Sequence, residues 1–211
     1  MRHVPSSDTL HAGVLSFEDA LLPTDADFDR ERWIYVPDHY SEYRYLLGTR
    51  GNHPLVCIGI NPSTAIPDRL DNTLKSAERI ALYNGYDSFI MFNVYAQRAT
   101  DPDDMEKEIN PMLHQENMKA FSWLLSHFSS PPDLWAAWGA VIEKRPYLSE
   151  CVMDMATIGQ HFGCHWFTAG QRSKAGHPHH PLYLRKNSPL DPFPDLNEYL
   201  LSLKNRGGSH A

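Results

Sequence analysis

The chain has 211 residues, 42% hydrophobic and 11% aromatic, which is enough for one folded domain with a substantial core and argues against a disordered protein. Its formal net charge of -7 argues against a protein that coats nucleic acid, because non-specific phosphate binding needs many exposed Lys and Arg side chains. Three cysteines without a C-x-x-C pair, no apolar signal segment and no run long enough to span a membrane predict a soluble cytoplasmic protein with neither disulfides nor a membrane partner.

The predicted elements follow an acidic N-terminal segment, residues 1–31, which we interpret as a loosely attached arm. Two aromatic-rich segments within residues 32–50 predict short edge strands or a hairpin. Beyond them, apolar runs that end in turn-forming residues alternate with segments of helical periodicity. This pattern predicts strands at 55–60, 88–95, 133–138 and 164–168, helices at 73–83, 110–126, 147–162 and 196–203, and a polar tail at 205–211.

Strands that alternate with helices are typical of an α/β domain. We predict a single domain at residues 32–204, a three-layer sandwich with a mostly parallel central sheet of about four strands and an N-terminal antiparallel edge. Ligands of such sheets bind beyond the carboxyl ends of the strands. The first candidates for a binding site are therefore the residues that follow each predicted strand, namely Asn61, Asn93, Trp138 with Gly139, and the loop after Thr168.

The first polar motif, GINPSTA, follows the first buried strand. Asn61 offers both a carbonyl oxygen and an amide group at the edge of the sheet. Ser63 and Thr64 add hydroxyls and backbone N–H groups, and Asp71 follows shortly after. These residue types suit ligand binding, although a turn held by Asn, Ser and Thr hydrogen bonds explains the same pattern.

The second polar motif, FNVYAQRATDP, interrupts an apolar strand. A buried amide such as that of Asn93 is costly unless its donors and acceptors are satisfied, and an Asn amide can read the edge of a nucleobase. Tyr95 could stack on a ring, and Arg98 could bind a phosphate or carboxylate. The alternative is a structural network in which Asn93 and Arg98 bind neighbouring carboxylates.

Residues 155–190 contain no Asp or Glu, although the chain as a whole is acidic. That asymmetry predicts a surface that faces an anion, unless the segment is simply a solvated loop. The densest polar cluster within it is GHPHHPLYLRK. The candidate ligand contacts from this segment are Lys174, His177, Tyr183 and Arg185.

Histidines and cysteines of this region are candidate metal ligands, and Ser63 is a candidate nucleophile. Three or four ligands in tetrahedral reach would be needed for zinc, and the candidates are His161, Cys164, His165, His177, His179 and His180. Cys164 and His165 would point to opposite faces of a strand, and no spacing matches a known metal motif. We therefore predict no metal and no cofactor, with a metal-dependent hydrolase as an alternative. A nucleophilic pair of Ser63 and His180 also remains open, since nothing in the sequence orients it.

Several of these motifs, taken in order, resemble a known family described only as domain of unknown function 1643. They are NPSTA with the later Asp71 and Thr73, N-x-x-x-x-R-A-T-D-P from Asn93, WGA from Trp138 and HPLYL from His180, within residues 43–184. The same order is more distantly similar to the uracil-DNA glycosylase superfamily. GINPS resembles its G-I-N-P-G motif, the segment from Asn93 resembles its base-reading strand, and HPLYLR resembles the motif that closes over the base.

The glycosylase resemblance implies a parallel α/β fold and a defined chemistry. Asn61 would hold the attacking water, and His180 would donate a hydrogen bond to the departing base, so both are the predicted catalytic residues. Asn93 would bind the base edge. The implied ligand is a nucleobase in a nucleotide or in single-stranded or duplex DNA. A non-catalytic module that binds a nucleotide or modified base in the same pocket remains an alternative.

Overall fold

A seven-stranded mixed sheet forms the centre of the protein, and five α-helices accompany it within the described residues. The computed structural model describes residues 2–6 and 13–207, so parts of the predicted arm (residues 1 and 7–12) and tail (208–211) lie outside the described residues. The predicted α/β class is confirmed. In chain order the elements are α1 (Phe17–Ala20), β1 (Trp33–Val36), β2 (Leu46–Thr49), β3 (Pro54–Gly59), α2 (Asn72–Tyr83), β4 (Ser88–Asn93), α3 (Pro111–Ser126), β5 (Asp133–Ala136), α4 (Tyr147–His161), β6 (His165–Ala169), β7 (Leu190–Pro192) and α5 (Leu196–Gly207).

The strands lie in the order β1-β2-β4-β3-β5-β6-β7. β3 runs parallel to β4 and to β5, and β5 runs parallel to β6, whereas β1, β2 and β7 join by antiparallel pairing. The chain leaves β3 for β4 on one side and later returns to β5 on the other. This reversal of strand order at β3 leaves a crevice beyond the carboxyl ends of the parallel strands.

Successive residues of the central strands bury opposite faces of the sheet. Leu55 and Cys57 of β3 pack in a cluster with α2, whereas Val56 and Ile58 pack in a second cluster with α3, α4 and α5. Full burial of each such aliphatic side chain stabilises the fold by about 1.5–3 kcal/mol. Because helices cover both faces, the strand ends are held in fixed positions beneath the crevice.

Side-chain caps fix where the helices nearest the crevice begin. The carboxylate of Asp71 accepts a hydrogen bond from the Leu74 backbone N–H at 2.9 Å, which starts α2. The side chain of Asn110 accepts hydrogen bonds from Met112 and Leu113 N–H at 3.1 and 3.2 Å, followed by a proline in the first turn of α3. The predicted Asn110 cap is confirmed.

Two terminal regions differ in detail from the sequence-based boundaries. Within the predicted arm, Phe17 is buried in the core and packs edge-on against Tyr45 and Trp123. At the other end, α5 continues past the expected end at residue 203 to Gly207.

The short elements α1 and β7, of four and three residues, are too brief to show a periodicity in sequence. No helix in the described part of the chain is long and apolar enough to cross a membrane.

Candidate functional site

A cavity of about 810 Å³ opens beyond the carboxyl ends of β3, β4 and β5. Small-molecule sites in proteins span roughly 300–1,000 Å³, so this volume suits a nucleotide-sized ligand. The segment after β3, the first turn of α2, the turn after β5 and residues 173–183 form its walls. The predicted site residues that line it are Asn61, Ser63, Thr64, Asp71, Asn93, His177, His180 and Tyr183.

Five predicted ligand contacts lie outside the lining of this cavity. Lys174 and Arg185 are exposed elsewhere on the segment that follows β6. Tyr95 is fully buried, where its hydroxyl donates to the Glu106 carboxylate. The last two, Trp138 and Arg98, are also fully buried.

The side chain of Asn61 has one fixed orientation. Its Nδ2 donates to the backbone oxygens of Ala99 at 2.7 Å and Pro62 at 3.1 Å. Both partners can only accept, so exchanging the amide nitrogen and oxygen would break both hydrogen bonds. No residue in the described chain donates to Oδ1, which leaves it as an acceptor for a ligand or water at the cavity wall.

The side chain of Asn93, the last residue of β4, also has one fixed orientation, and it is opposite to that of Asn61. Its Oδ1 accepts a hydrogen bond from Arg44 Nη2 at 3.3 Å. Because a guanidinium can only donate, Nδ2 must occupy the other position, and it has no acceptor among the described residues. A Cβ at the neighbouring Gly59 would lie 2.9 Å from this Nδ2, so glycine leaves room for the amide. Asn93 therefore offers a donor.

His180 provides a second neutral donor. Its Nδ1 accepts a hydrogen bond from the Leu182 backbone N–H at 3.3 Å, so the proton of the neutral ring resides on Nε2. Burial lowers the pKa of His180, with the Asp71 carboxylate opposing the shift, and the ring is neutral at pH 7. Gly139, at φ 63°, lies beside the backbone of His180, and a Cβ there would lie 3.2 Å from the His180 Cβ.

His177 belongs to a buried network that supports this segment. Its Nδ1 lies 3.0 Å from the Tyr199 hydroxyl, which also accepts a hydrogen bond from Trp138 Nε1 at 3.0 Å. Its Nε2 lies 3.4 Å from a Glu143 carboxylate oxygen. Burial lowers the pKa of His177, opposed by Glu143. The predicted ligand contact Trp138 thus contributes to the core, where it holds the segment that carries His180.

Arg44, which was not predicted as a site residue, lines the cavity and is only 1% exposed. Its Nη1 donates to the backbone oxygen of Ala65 at 3.3 Å. Burial first, then the neighbouring Arg98, lower the pKa of Arg44 to about 9, so the group is still protonated at pH 7. A signal was present, because an Arg within the apolar run YRYLL must be paired if that run is buried.

Arg98 is fully buried and supports the backbone of the segment that contains Ser63 and Ala65. It donates to the backbone oxygens of Ser63 and Ala65 and, at 2.9 Å, to the Tyr35 hydroxyl, while its guanidinium lies 4.3 Å from the Tyr40 ring centre. Burial lowers the pKa of Arg98. Arg98 thus has the structural role that the sequence analysis left open, although its partners are carbonyl and hydroxyl oxygens rather than carboxylates.

Two of the alternative chemistries receive no support from the geometry. Within residues 2–6 and 13–207, no three His, Cys, Asp or Glu side chains come close enough together to hold a metal ion. The Ser63 hydroxyl donates to Thr100 Oγ1 at 3.1 Å rather than to a histidine that could activate it.

The family described as "Protein of unknown function (DUF1643)" matches residues 44–182, about two thirds of the chain. The matched range begins at Arg44 and includes Asn61, Asn93 and His180. A search of curated proteins and a search of solved structures each found no match.

Proposed function

The chain belongs to this family of proteins of unknown function (DUF1643), and from the geometry of its cavity we propose that it is a glycosylase-like hydrolase. It would bind a nucleobase, in nucleic acid or in a nucleotide, and cleave its N-glycosidic bond. The observation that carries the proposal is the fixed, opposite orientation of two amides at adjacent strand ends, with an acceptor on Asn61 and a donor on Asn93.

The chemistry of N-glycosidic hydrolysis needs this combination of groups. The bond between C1′ and the base nitrogen breaks with both electrons on the base, and a water oxygen bonds to C1′. The free Oδ1 of Asn61 accepts a hydrogen bond from that water. Asn93 Nδ2 and His180 Nε2–H donate to the base as it becomes anionic, and the proton released by the water finally neutralises it. Preorganised donors of this kind typically contribute about 2.7–4 kcal/mol each.

The donor pattern also favours one class of base. Asn93 and His180 both present N–H groups, and Arg44 prevents the Asn93 amide from reversing. A base edge that carries two acceptors, such as O2 and O4 of uracil or O6 and N7 of hypoxanthine, accepts both hydrogen bonds. An amino group in the same place would meet a donor and leave it unpaired, which costs about 1–3 kcal/mol.

A uracil-DNA-glycosylase-like sandwich on four parallel strands is part of this proposal. The parallel pairing of β4, β3, β5 and β6 supports it, as does the position of Asn61 after β3 and Asn93 at the end of β4. The net charge of -7 disfavours binding to a long polyanion such as duplex DNA. A nucleotide or single strand also avoids the cost of flipping the base out of a duplex, which is a few kcal/mol.

The test is a base-release assay with purified protein. The substrates are free nucleotides, single strands and duplexes that carry uracil, hypoxanthine or alkylated and oxidised bases. Asn61→Ala and His180→Ala are compared with the matched controls Asn52→Ala and His127→Ala. Both control residues are exposed and lie near the opposite, amino ends of the parallel strands.

We expect release by the native protein and both controls. Asn61→Ala should abolish turnover and retain binding, because it removes the water acceptor and leaves both base donors. Ligands that raise the melting temperature without any release would instead identify a non-catalytic module that binds a nucleotide or modified base.

A further inference from the structure

Two positively charged side chains lie side by side near the cavity, where Arg44 belongs to the lining and Arg98 is fully buried next to it. Arg44 and Arg98 each donate to the same backbone oxygen, that of Ala65, at 3.3 Å. Within the described residues, no carboxylate lies within 4.0 Å of either guanidinium, and their partners are neutral oxygens. Burying a charged group without an opposite charge is costly, so an anion that bound beside these guanidiniums would be stabilised by them.

The nearest acidic influence is too small to neutralise both groups. Asp71 raises the pKa of each arginine but forms no ion pair with either. One of its oxygens is already occupied as the cap of α2, where it accepts the Leu74 N–H. One carboxylate beyond contact distance therefore faces two guanidiniums, and the net local charge is positive.

Arg44 has hydrogen-bonding capacity that the described residues do not use. Its Nη1 and Nη2 each make one hydrogen bond of 3.3 Å, and its buried Nε has no partner in the described chain. The first residues of α2, Asn72 and Thr73, line the same cavity. The first turn of a helix favours negative charge, so these residues add a second attraction for an anion at this wall.

From this geometry we infer that the cavity contains an anion subsite centred on Arg44, supported by Arg98, and that it binds the phosphate ester of a nucleobase-containing ligand. The choice of a phosphate rests on the proposed function, whereas the anion subsite rests on the arginine pair alone. A free nucleotide and a single-stranded backbone share this phosphate chemistry.

The first test uses inorganic phosphate as the probe, compared with chloride at equal ionic strength. Phosphate should raise the melting temperature of the native protein and shift the Nε–H signal of Arg44 in a nitrogen–proton NMR spectrum. Arg44→Lys keeps the charge but loses the planar fork, and should weaken phosphate binding about tenfold or more. Arg50→Lys, which alters an exposed arginine at the opposite sheet edge, should have no effect.

A second variant keeps the test valid even if Arg44→Lys folds poorly. Asp71→Asn removes the negative charge near the arginines and retains an oxygen that can cap α2. It should bind phosphate a few-fold more tightly than the native protein. A gain in binding cannot arise from unfolding, and weaker or unchanged binding would contradict the inference.

Further comparisons distinguish a free nucleotide from a single-stranded backbone as the source of the phosphate. They also distinguish the anion subsite from the glycosylase proposal. Uridine is compared with uridine 5′-monophosphate and with a short single strand that carries uracil. Competition between inorganic phosphate and the monophosphate, or the strand, identifies the source. If phosphate stabilises the native protein no more than chloride, the anion subsite is wrong, whether or not bases are released. If phosphate binds through Arg44 but no base is bound or released, the anion subsite stands and the glycosylase proposal fails.

Discussion

Replacement of Gly139 by alanine tests whether the turn after β5 sets the position of His180. Gly139 has φ 63°, a conformation that costs most other residues about 1–2 kcal/mol. The added Cβ would also lie 3.2 Å from the His180 Cβ, closer than an ordinary van der Waals contact. We therefore expect a loss of stability and a displaced His180 ring.

The conformational cost sets the size of the first effect. In a domain of this length, 1 kcal/mol corresponds to roughly 2–4 °C in melting temperature, so Gly139→Ala should melt about 2–8 °C lower. The displacement of His180 should reduce base release on the order of tenfold, because misplacement by 1 Å can cost roughly a hundredfold. The pKa of His180 should move toward its ordinary value as the ring leaves its buried position.

Gly85→Ala is the matched control, because Gly85 has φ 87° at the end of α2 and no atom lies within 4 Å of its added Cβ. Melting curves, base release and an NMR titration of the His180 ring are measured on both variants. Both should lose stability through the positive φ, and only Gly139→Ala should change His180. An unchanged His180 pKa and full base release in Gly139→Ala would refute the idea that glycine is required beside His180.

Three further predictions address the supports of the site. Tyr199→Phe removes the hydroxyl that joins Trp138 to His177, and should lower the free energy of unfolding by about 1–3 kcal/mol in urea titrations. The control Tyr83→Phe, at a 57% exposed position, should have little effect. Asp71→Ala should lower the free energy of unfolding by about 1 kcal/mol, because it removes the cap of α2, and Asp71→Asn should retain most of that stability. Equal losses for the two variants in thermal melts would show that charge, not capping, is responsible. Because burial lowers the pKa of His180 below its ordinary 6.5, the unfolded chain binds more protons than the folded one as the pH falls below 6.5, and stability declines there. Urea titrations at about pH 7.5 and 5.5 should show a smaller decline for His180→Asn than for the native protein, and equal declines would contradict this assignment.

The sequence by itself determined the four central strands, the longer helices and the end of the strands at which the candidate site lies. Apolar runs and helical periodicity are patterns of a few neighbouring residues. The four central strands and their helices could therefore be predicted from local sequence, as could the Asn110 cap. The rule that ligands bind beyond parallel strand ends then selected Asn61 and Asn93, which the structure brings together at one cavity.

Only the tertiary structure decided which atoms face that cavity. Arg44 is remote from Asn93 in sequence, and only strand pairing brings the two into contact and leaves the Asn93 Nδ2 as a donor. Tyr95 lies two residues beyond Asn93 and points into the core instead. The direction of a side chain at a strand end depends on the neighbouring strands, the helices that cover them and the space they leave. Those are long-range contacts, and local sequence patterns do not report them.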